Sequence, residues 1–389
     1  MHRRSTRARV WGLAIPLALA FVLSACAADD GGGNKAADLP KANPSLKGEI
    51  ALGAVLPLTG TNATIGKDQQ RGIDLAVAKI NEGDGVLGKK LVVDTEDSQG
   101  TADAAIQAAK KLVSVSHVPA VIGEYSSGNS IPMQQYLQSA GVVGVNPGSS
   151  SIELRDTGSR QFSTIGLDDV AGAFTADALD EKGYASIAIL APNNAYGTGI
   201  VASVSDAFEG LGGDVMTTGL YTEGQADYRQ ELGRLKDSDP DAYVVTTYGK
   251  DGTTINREMY ELGMTDKPVF DIYMSQDVPD ADPQAVEGRI GMDVVNATDG
   301  KSYADYYERT YGETFISSFN GYLYDAVMML AAAINKAGST EPQAIADALT
   351  EISKSYQGVT GPIVFDADGQ RSEQPYVLAE VKNGEIVPE

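Results

Sequence analysis

The chain has 389 residues, 42% of them hydrophobic and 21% charged, with a formal charge of −23. That length allows two domains, each with its own core. So acidic a chain is a poor partner for a nucleic-acid backbone, and its single cysteine excludes internal disulfides and thiolate metal sets.

The N-terminus reads as an export signal. MHRRSTRARV carries four arginines, and the apolar run from Trp11 to Leu23 has thirteen residues, too few to span a bilayer comfortably. Leu23-Ser24-Ala25-Cys26 follows and resembles the bacterial lipobox, whose cysteine is lipidated and becomes the first residue after cleavage. Cys26 is the one cysteine of the sequence, which favours that reading over a buried free thiol. Cleavage would remove four arginines and no acid, taking the charge to −27. Residues 1–25 are thus expected to be a lipoprotein signal peptide. Residues 26–47, rich in Gly, Ala and Asp without hydrophobic period, are expected to be a flexible tether. No later run of eighteen apolar residues occurs, so lipid on Cys26 would be the attachment to the outer face of the membrane.

From Glu49 the pattern alternates strand and helix. EIALGAVLPLT is an apolar strand, and GKDQQRGIDLAVAKINEG sets Ile73, Ala76, Val77 and Ile80 on one helical face. KKLVVDTEDS, PAVIGEYS and GVVGVNP are further strands, with helices opened by Thr101 and running through Tyr136 and Leu137 between them. FSTIGLDDVAG is expected to be a crossover. The alternation restarts with SIAILAPN, DVMTTGLYT, DAYVVTTYG and KPVFDIYMS, separated by helices over 199–211, 228–235 and 253–262. Two such blocks, four strands and three helices each, predict α/β lobes with parallel sheets covered on both faces. YADYYERTYG, SSFNGYLYDAVMMLAAAINKAG and EPQAIADALTEISK are then helices. QGVTGPIVFDADGQ and PYVLAEVKNGEIV end the chain as strands and turns, placed to return over both lobes.

Two loops at consecutive strand ends are rich in hydroxyls. PAVIGEYSSG puts Ser126, Ser127 and Asn129 at a helix mouth, and GVVGVNPGSSS ends in Gly148, Ser149, Ser150 and Ser151. A helix start with small hydroxyl residues presents N–H and O–H donors to an anionic group. Serine is also a common cap, so either loop alone reads first as capping; two on adjacent strand ends strengthen the ligand reading, because ligands of open parallel sheets bind there.

Catalytic machinery is missing. His117 would be the one histidine after cleavage, and it lies at the start of a strand, opposite the serine loops, which suits a surface residue better than a triad. There is no GxSxG, P-loop or GxGxxG motif. Asp366-Ala367-Asp368-Gly369 lacks the glutamate of a calcium loop and reads as a hairpin turn. The chain is therefore expected not to be an enzyme and to need no metal or cofactor.

From about Gly48 to Val387 the chain resembles the type I solute-binding proteins of ABC importers, in particular the leucine/isoleucine/valine-binding branch. GAVLPLTG, GIDLAVAKIN, VIGEYSSGNSIP, VNPGSSSIEL, FSTIGLDDVAG, NNAYGTG, AYVVTTYG and GPIVFDADGQ carry the resemblance in order and spacing. It implies two Rossmann-like lobes joined by three crossovers near Asp168, Asn296 and Pro375, closing on a ligand. One lobe would hold 48–167 with 297–375, the other 168–296 with 376–389. It also implies a monomer that hands an amino acid or related small metabolite to membrane permease subunits; a sensor for a signalling partner is the other outlet for the same binding. By the same resemblance Ser127 would hold the ligand carboxylate, Gly148 and Ser150 the carboxylate and ammonium, Asp168 the ammonium, and Tyr196 and Tyr248 would descend from the second lobe; Ser149 and Tyr273 are counted with these ligand residues. Two positions depart from the pattern. The second ammonium acid appears as Tyr273, with Asp271 two residues earlier, and an aromatic of the first lobe appears as Ile65. Both argue against strict branched-chain specificity; relatives also take amides, urea, polyamine-like or aromatic compounds.

Overall fold

The computed structural model describes residues 39–295 and 302–389. The signal peptide, Cys26, most of the tether and the crossing at Asn296 lie outside the described residues. Among those described, no helix is long and apolar enough to cross a membrane.

The first lobe opens with β1 (Glu49–Leu56), α1 (Ala63–Glu82), β2 (Lys90–Asp97), α2 (Ala102–Ser114), β3 (Ala120–Gly123), α3 (Ser127–Ala140), β4 (Val143–Asn146) and β5 (Gln161–Gly166). The second holds α4 (Asp168–Glu181), β6 (Ser186–Pro192), α5 (Ala195–Gly210), β7 (Asp214–Tyr221), α6 (Arg229–Asp237), β8 (Ala242–Val245), α7 (Gly249–Glu261), β9 (Val269–Ile272), α8 (Pro283–Val286) and β10 (Ile290–Val294). The chain then adds α9 (Ser302–Tyr311), α10 (Asn320–Ala337), α11 (Pro342–Ser353) and the short strands β11 (Gln357–Gly358), β12 (Gly361–Pro362) and β13 (Gln370–Arg371). It ends with the hairpin of β14 (Tyr376–Lys382) and β15 (Glu385–Pro388).

One sheet runs β2-β1-β3-β4-β5-β13, all parallel. The other runs β7-β6-β8-β9-β10 in parallel, and the closing hairpin adds β14 and β15 antiparallel at its edge. The chain passes between the sheets after β5, after β10 and after β13. FSTIGLDDVAG is thus not only a crossover: it supplies β5 and the start of α4, and each block has five parallel strands rather than four.

Burial explains the layering. Central β3, β8 and β9 are buried throughout, as strands covered on both faces must be, whereas edge strand β7 alternates exposed and covered positions. On the first sheet, α1, α10 and α11 bury one face through Leu52, Ile73, Leu330 and Ile345, and α2 and α3 bury the other through Leu112 and Leu137. Each such aliphatic side chain removed from water stabilises the lobe by about 1.5–3 kcal/mol. Thr101 caps α2, its hydroxyl accepting from Ala104 N–H at 3.4 Å, and Gly141 ends α3 in the left-handed conformation at φ 76°. His117 stands exposed in the turn between α2 and β3, at the opposite end of the sheet from Ser127.

Candidate functional site

Both sheets reverse their strand order at one place, between β1 and β3 in the first and between β6 and β8 in the second. Loops leaving such a point diverge and leave a crevice at the carboxyl ends of the strands. The turn after β3 carries Tyr125 to Ser127; the turns after β6 and β8 lead to Tyr196 and Tyr248. The two crevices meet.

The serines do not cap their helix. Ser126 occupies the N-cap of α3 without a side-chain cap bond, and Ser127 Oγ accepts from Ser151 N–H at 3.2 Å, joining the two loops. Asn146 shapes the second loop: its Oδ1 accepts from the N–H groups of Gly148 (3.2 Å) and Ser149 (2.8 Å), and its Nδ2 donates to Ser149 O at 2.7 Å. Ser149 Oγ donates to the carbonyls of Glu124 (2.8 Å) and Tyr125 (3.0 Å), so it fastens loop to loop. A Cβ on Gly148 would press Tyr125 and Gln69 at 3.1 and 3.2 Å.

Asp168 opens α4 directly behind Ser150, whose carbonyl accepts from Asp168 N–H at 2.7 Å. Its carboxylate is fully buried, and neither oxygen has a hydrogen-bond partner of good geometry. Burial pushes its pKa up to about 8, only partly offset by the nearby Ser150 hydroxyl. Gly199 of α5 leaves room for it, since a Cβ there would stand 2.9 Å from Asp168 Oδ2. A buried carboxylate without a partner is costly, and a cationic group would relieve it. The other acids nearby are engaged. Glu124, raised to about 7 by burial, accepts from Ser98 Oγ (2.6 Å) and Ser126 N–H (2.8 Å). Asp271 accepts from Arg289 Nη1 at 2.8 Å, and Asp293 from Ser275 N–H at 2.6 Å.

The facing wall is aromatic. Tyr248 meets Tyr125 of the first lobe edge-on at 5.8 Å and Tyr196 at 5.9 Å. Tyr273 lies 6.3 Å from Tyr196, and Phe319, at the start of α10, reaches both Tyr273 (6.1 Å) and Tyr125 (5.3 Å). Tyr273 holds φ 65°, unusual for a bulky side chain, and its backbone is pinned by Met292 O at 3.0 Å and Gln276 N–H at 2.9 Å. Burial raises Tyr125, Tyr196, Tyr248 and Tyr273 well above the ordinary phenol range, so all four stay neutral donors.

One gap is lined by Tyr125, Ser127, Gly148, Ser150, Tyr196, Tyr248 and Gln276. About 170 Å3 of it is free of atoms, but a water centre could occupy only about 10 Å3, so the lobes are drawn nearly shut. A wider depression of about 600 Å3 beside α1 and α9 has none of these residues on its walls. Of the residues singled out in sequence, Ser127, Gly148, Ser150, Tyr196 and Tyr248 share the gap, with Asp168 bonded behind Ser150 and Tyr273 against Tyr196. The Ser149 hydroxyl is turned to backbone. Ile65 is buried in the same apolar cluster as Tyr125. Tyr125, Gln276 and Phe319 were not singled out; Tyr125 could have been, since it directly precedes the two serines. No group of three or more His, Cys, Asp or Glu side chains suited to a metal occurs among the described residues.

Two parallel-sheet lobes meeting over a buried polar gap define a binding protein that shuts on a small solute. The chain belongs to the periplasmic binding protein family, whose model matches residues 49–385. It is 29% identical over 350 residues to the Leu/Ile/Val-binding protein homolog 2 of Brucella abortus, spanning 87% of this chain and 91% of that one. An amino acid binding protein of Pseudomonas aeruginosa is 27% identical over 349 residues, spanning 85% and 90%. Among solved structures, the branched-chain amino acid transporter substrate-binding protein LivJ of Streptococcus pneumoniae, in complex with isoleucine, superimposes with a TM-score of 0.79 at 25% identity, covering 87% of this chain and 97% of that one. The leucine-binding protein LivK of Thermotoga maritima matches with the same TM-score, identity and coverage. These relatives are solute-binding proteins, not enzymes.

Proposed function

We propose that the protein is an extracytoplasmic receptor, anchored through lipid on Cys26, that captures a branched-chain-like amino acid or related small zwitterion and delivers it as a monomer to an ABC permease. The observation that carries this reading is the buried Asp168 carboxylate behind the Ser150 loop, with no cation beside it and no hydrogen bond of good geometry to either oxygen. A zwitterion supplies what each side lacks: a carboxylate for the hydroxyls of Ser127 and Ser150 and the positive end of α3, and a cation for Asp168. Tyr196, Tyr248 and Tyr273 would add apolar area and hydroxyls from the other lobe. The relatives named for leucine, isoleucine and valine support the class of ligand.

The test is thermal unfolding of the full chain in detergent against a panel of amino acids and their derivatives. A ligand bound only by the folded state raises the midpoint, and the stabilisation grows as the logarithm of ligand concentration over Kd. No shift with any amino acid, amide or N-alkylated amino acid would overturn the reading.

A further inference from the structure

Two of the seven residues that line the gap carry a buried oxygen with no hydrogen-bond partner among the described residues. Gln276 Oε1 comes from the second lobe and Tyr125 OH from the first, and the two residues are only 5% and 3% exposed. The other hydroxyls on the wall are engaged. Ser127 Oγ accepts from Ser151 N–H at 3.2 Å, Tyr196 OH pairs with Thr246 Oγ1 at 2.6 Å, the Ser150 hydroxyl faces Asp168, and Tyr248 OH has Ser126 and Asn194 beside it. An amide oxygen or a phenol taken out of water without a partner costs free energy, so such atoms on the wall of a binding gap point to donors brought by the solute.

The turn that presents Gln276 is fastened on both sides. Ser275 N–H donates to Asp293 Oδ2 at 2.6 Å, and Ser275 Oγ accepts from Ser318 N–H at 3.2 Å. Asp277 Oδ2 accepts from Thr247 Oγ1 and Asn256 Nδ2, both at 2.7 Å. Arg289 Nη1 donates to Asn256 Oδ1 (2.7 Å) and Asp271 Oδ2 (2.8 Å), which ties the same turn to β9. Gln276 N–H donates to Tyr273 O at 2.9 Å. Of these neighbours only Gln276 lines the gap, and neither Asp271 nor Tyr273 does.

A primary ammonium carries three N–H donors and needs acceptors for all of them once buried. Asp168 supplies negative charge from behind Ser150; Gln276 and Tyr125 supply neutral acceptors on the wall itself.

We propose that Gln276 is a specificity-determining ligand residue whose Oε1, together with Tyr125 OH, accepts hydrogen bonds from the primary ammonium of the solute. Gln276 belongs to the second lobe and Ser127 and Gly148 to the first, so this bond forms as the lobes close. The proposal rests on the function proposed above and adds the contact that selects the ammonium.

The test is titration calorimetry of the full chain in detergent with leucine, valine, alanine and serine, for the native chain and three variants. Gln276→Met keeps length and loses the acceptor; it should weaken the tightest of these ligands about fivefold or more. Gln276→Glu keeps an acceptor oxygen beside the ammonium and should bind within about threefold of native or tighter. Tyr125→Phe, which keeps the ring, should weaken binding by about threefold or more. Without ligand, the unfolding midpoint of Gln276→Met should stand at or above native, because an unpartnered amide gives way to an apolar group of similar shape. A smaller loss with Gln276→Met, or a midpoint well below native, overturns the assignment. A loss with Gln276→Glu as large as that with Gln276→Met would put the side chain against the solute's carboxylate and overturns it too; either result leaves the receptor intact. Absence of binding by the native chain to all four, together with no thermal shift across the wider amino-acid panel, overturns both.

Discussion

Asp168 is held out of water with only the Ser150 hydroxyl to offset its burial, which pushes its carboxyl up to about 8 in the folded chain against an ordinary value of 3.8. Between those values the folded state binds a proton that the unfolded chain has released, so this group's contribution to stability is present at acid pH, declines as pH rises from about 4 to about 8, and is gone above. The decline is at most about 1.4 kcal/mol per pH unit. Asp168→Asn keeps shape without charge and should be markedly more stable than the native chain at pH 8.5 and little different at pH 4, when urea unfolding is compared at both. Solute binding should show the reverse. A cation beside Asp168 favours its ionised form, so binding at pH 7 should release a proton, measurable by calorimetry in buffers of unlike ionisation enthalpy, and Asp168→Asn should abolish that release and weaken affinity about 10- to 100-fold. Ser150→Ala, on the anion side, should cost ~1–3 kcal/mol of binding without the pH signature. At this scale the sequence revealed the hydroxyls and the acid, because small polar residues at strand ends are a local pattern. Tyr125 and Phe319 stayed hidden because nothing local distinguishes a ring that lines a gap from one that fills a core, and they stand 194 positions apart.

Among the elements, the α1–α10 crossing positions Phe319, which packs against Tyr125 and Tyr273. Gly72 lets the helices touch, since a Cβ there would stand 2.2 Å from Asn320 O. One turn earlier, the buried Asp68 carboxylate accepts from Tyr307 OH (2.6 Å), Ser317 N–H (3.0 Å), Ser317 Oγ (2.7 Å) and Asn320 Nδ2 (2.8 Å), which fixes the start of α10 and with it Phe319. Asp68→Ala would strand these donors and should lower the unfolding free energy in urea by about 2–4 kcal/mol. Gly72→Ala, an overpacking change, should cost about 1–3 kcal/mol. Apolar periodicity made most helices and strands legible, α1 among them. It failed at β5 and β10, whose apolar runs are interrupted by buried polar residues: Ser163 is buried between Asn146 Nδ2 (2.9 Å) and Gln370 Oε1 (2.5 Å), and Asp293 is buried on the backbone of Ser275 and Val294. A strand satisfied by long-range side-chain bonds carries no unbroken apolar run, and its partners become visible only when the chain has folded. The helix α4 was missed for a related reason, its buried face being largely Ala, Gly and Thr.

Across the molecule, capture requires the lobes to part and close, because the gap as it stands admits scarcely one water. The closed arrangement brings α3 of the first lobe against the N-cap of α5 in the second: a Cβ on Gly128 would sit 3.6 Å from Asn194 Cβ. Gly128 is only partly covered and lies in the first turn of α3, inside no core cluster. A large side chain there has nowhere to go while the lobes touch, yet finds solvent once they separate. Gly128→Trp should therefore act as a wedge, favouring the parted state without unfolding either lobe. A ligand's apparent affinity falls by the fraction of chains able to close, so a wedge that disfavours closure by about 2.7 kcal/mol would weaken binding about 100-fold. Small-angle scattering checks the cause. The variant should keep a larger radius of gyration at saturating ligand than the native chain, while its circular dichroism and unfolding midpoint stay close to native. An unchanged radius with unchanged affinity would mean that the two lobes bind without meeting at this rim.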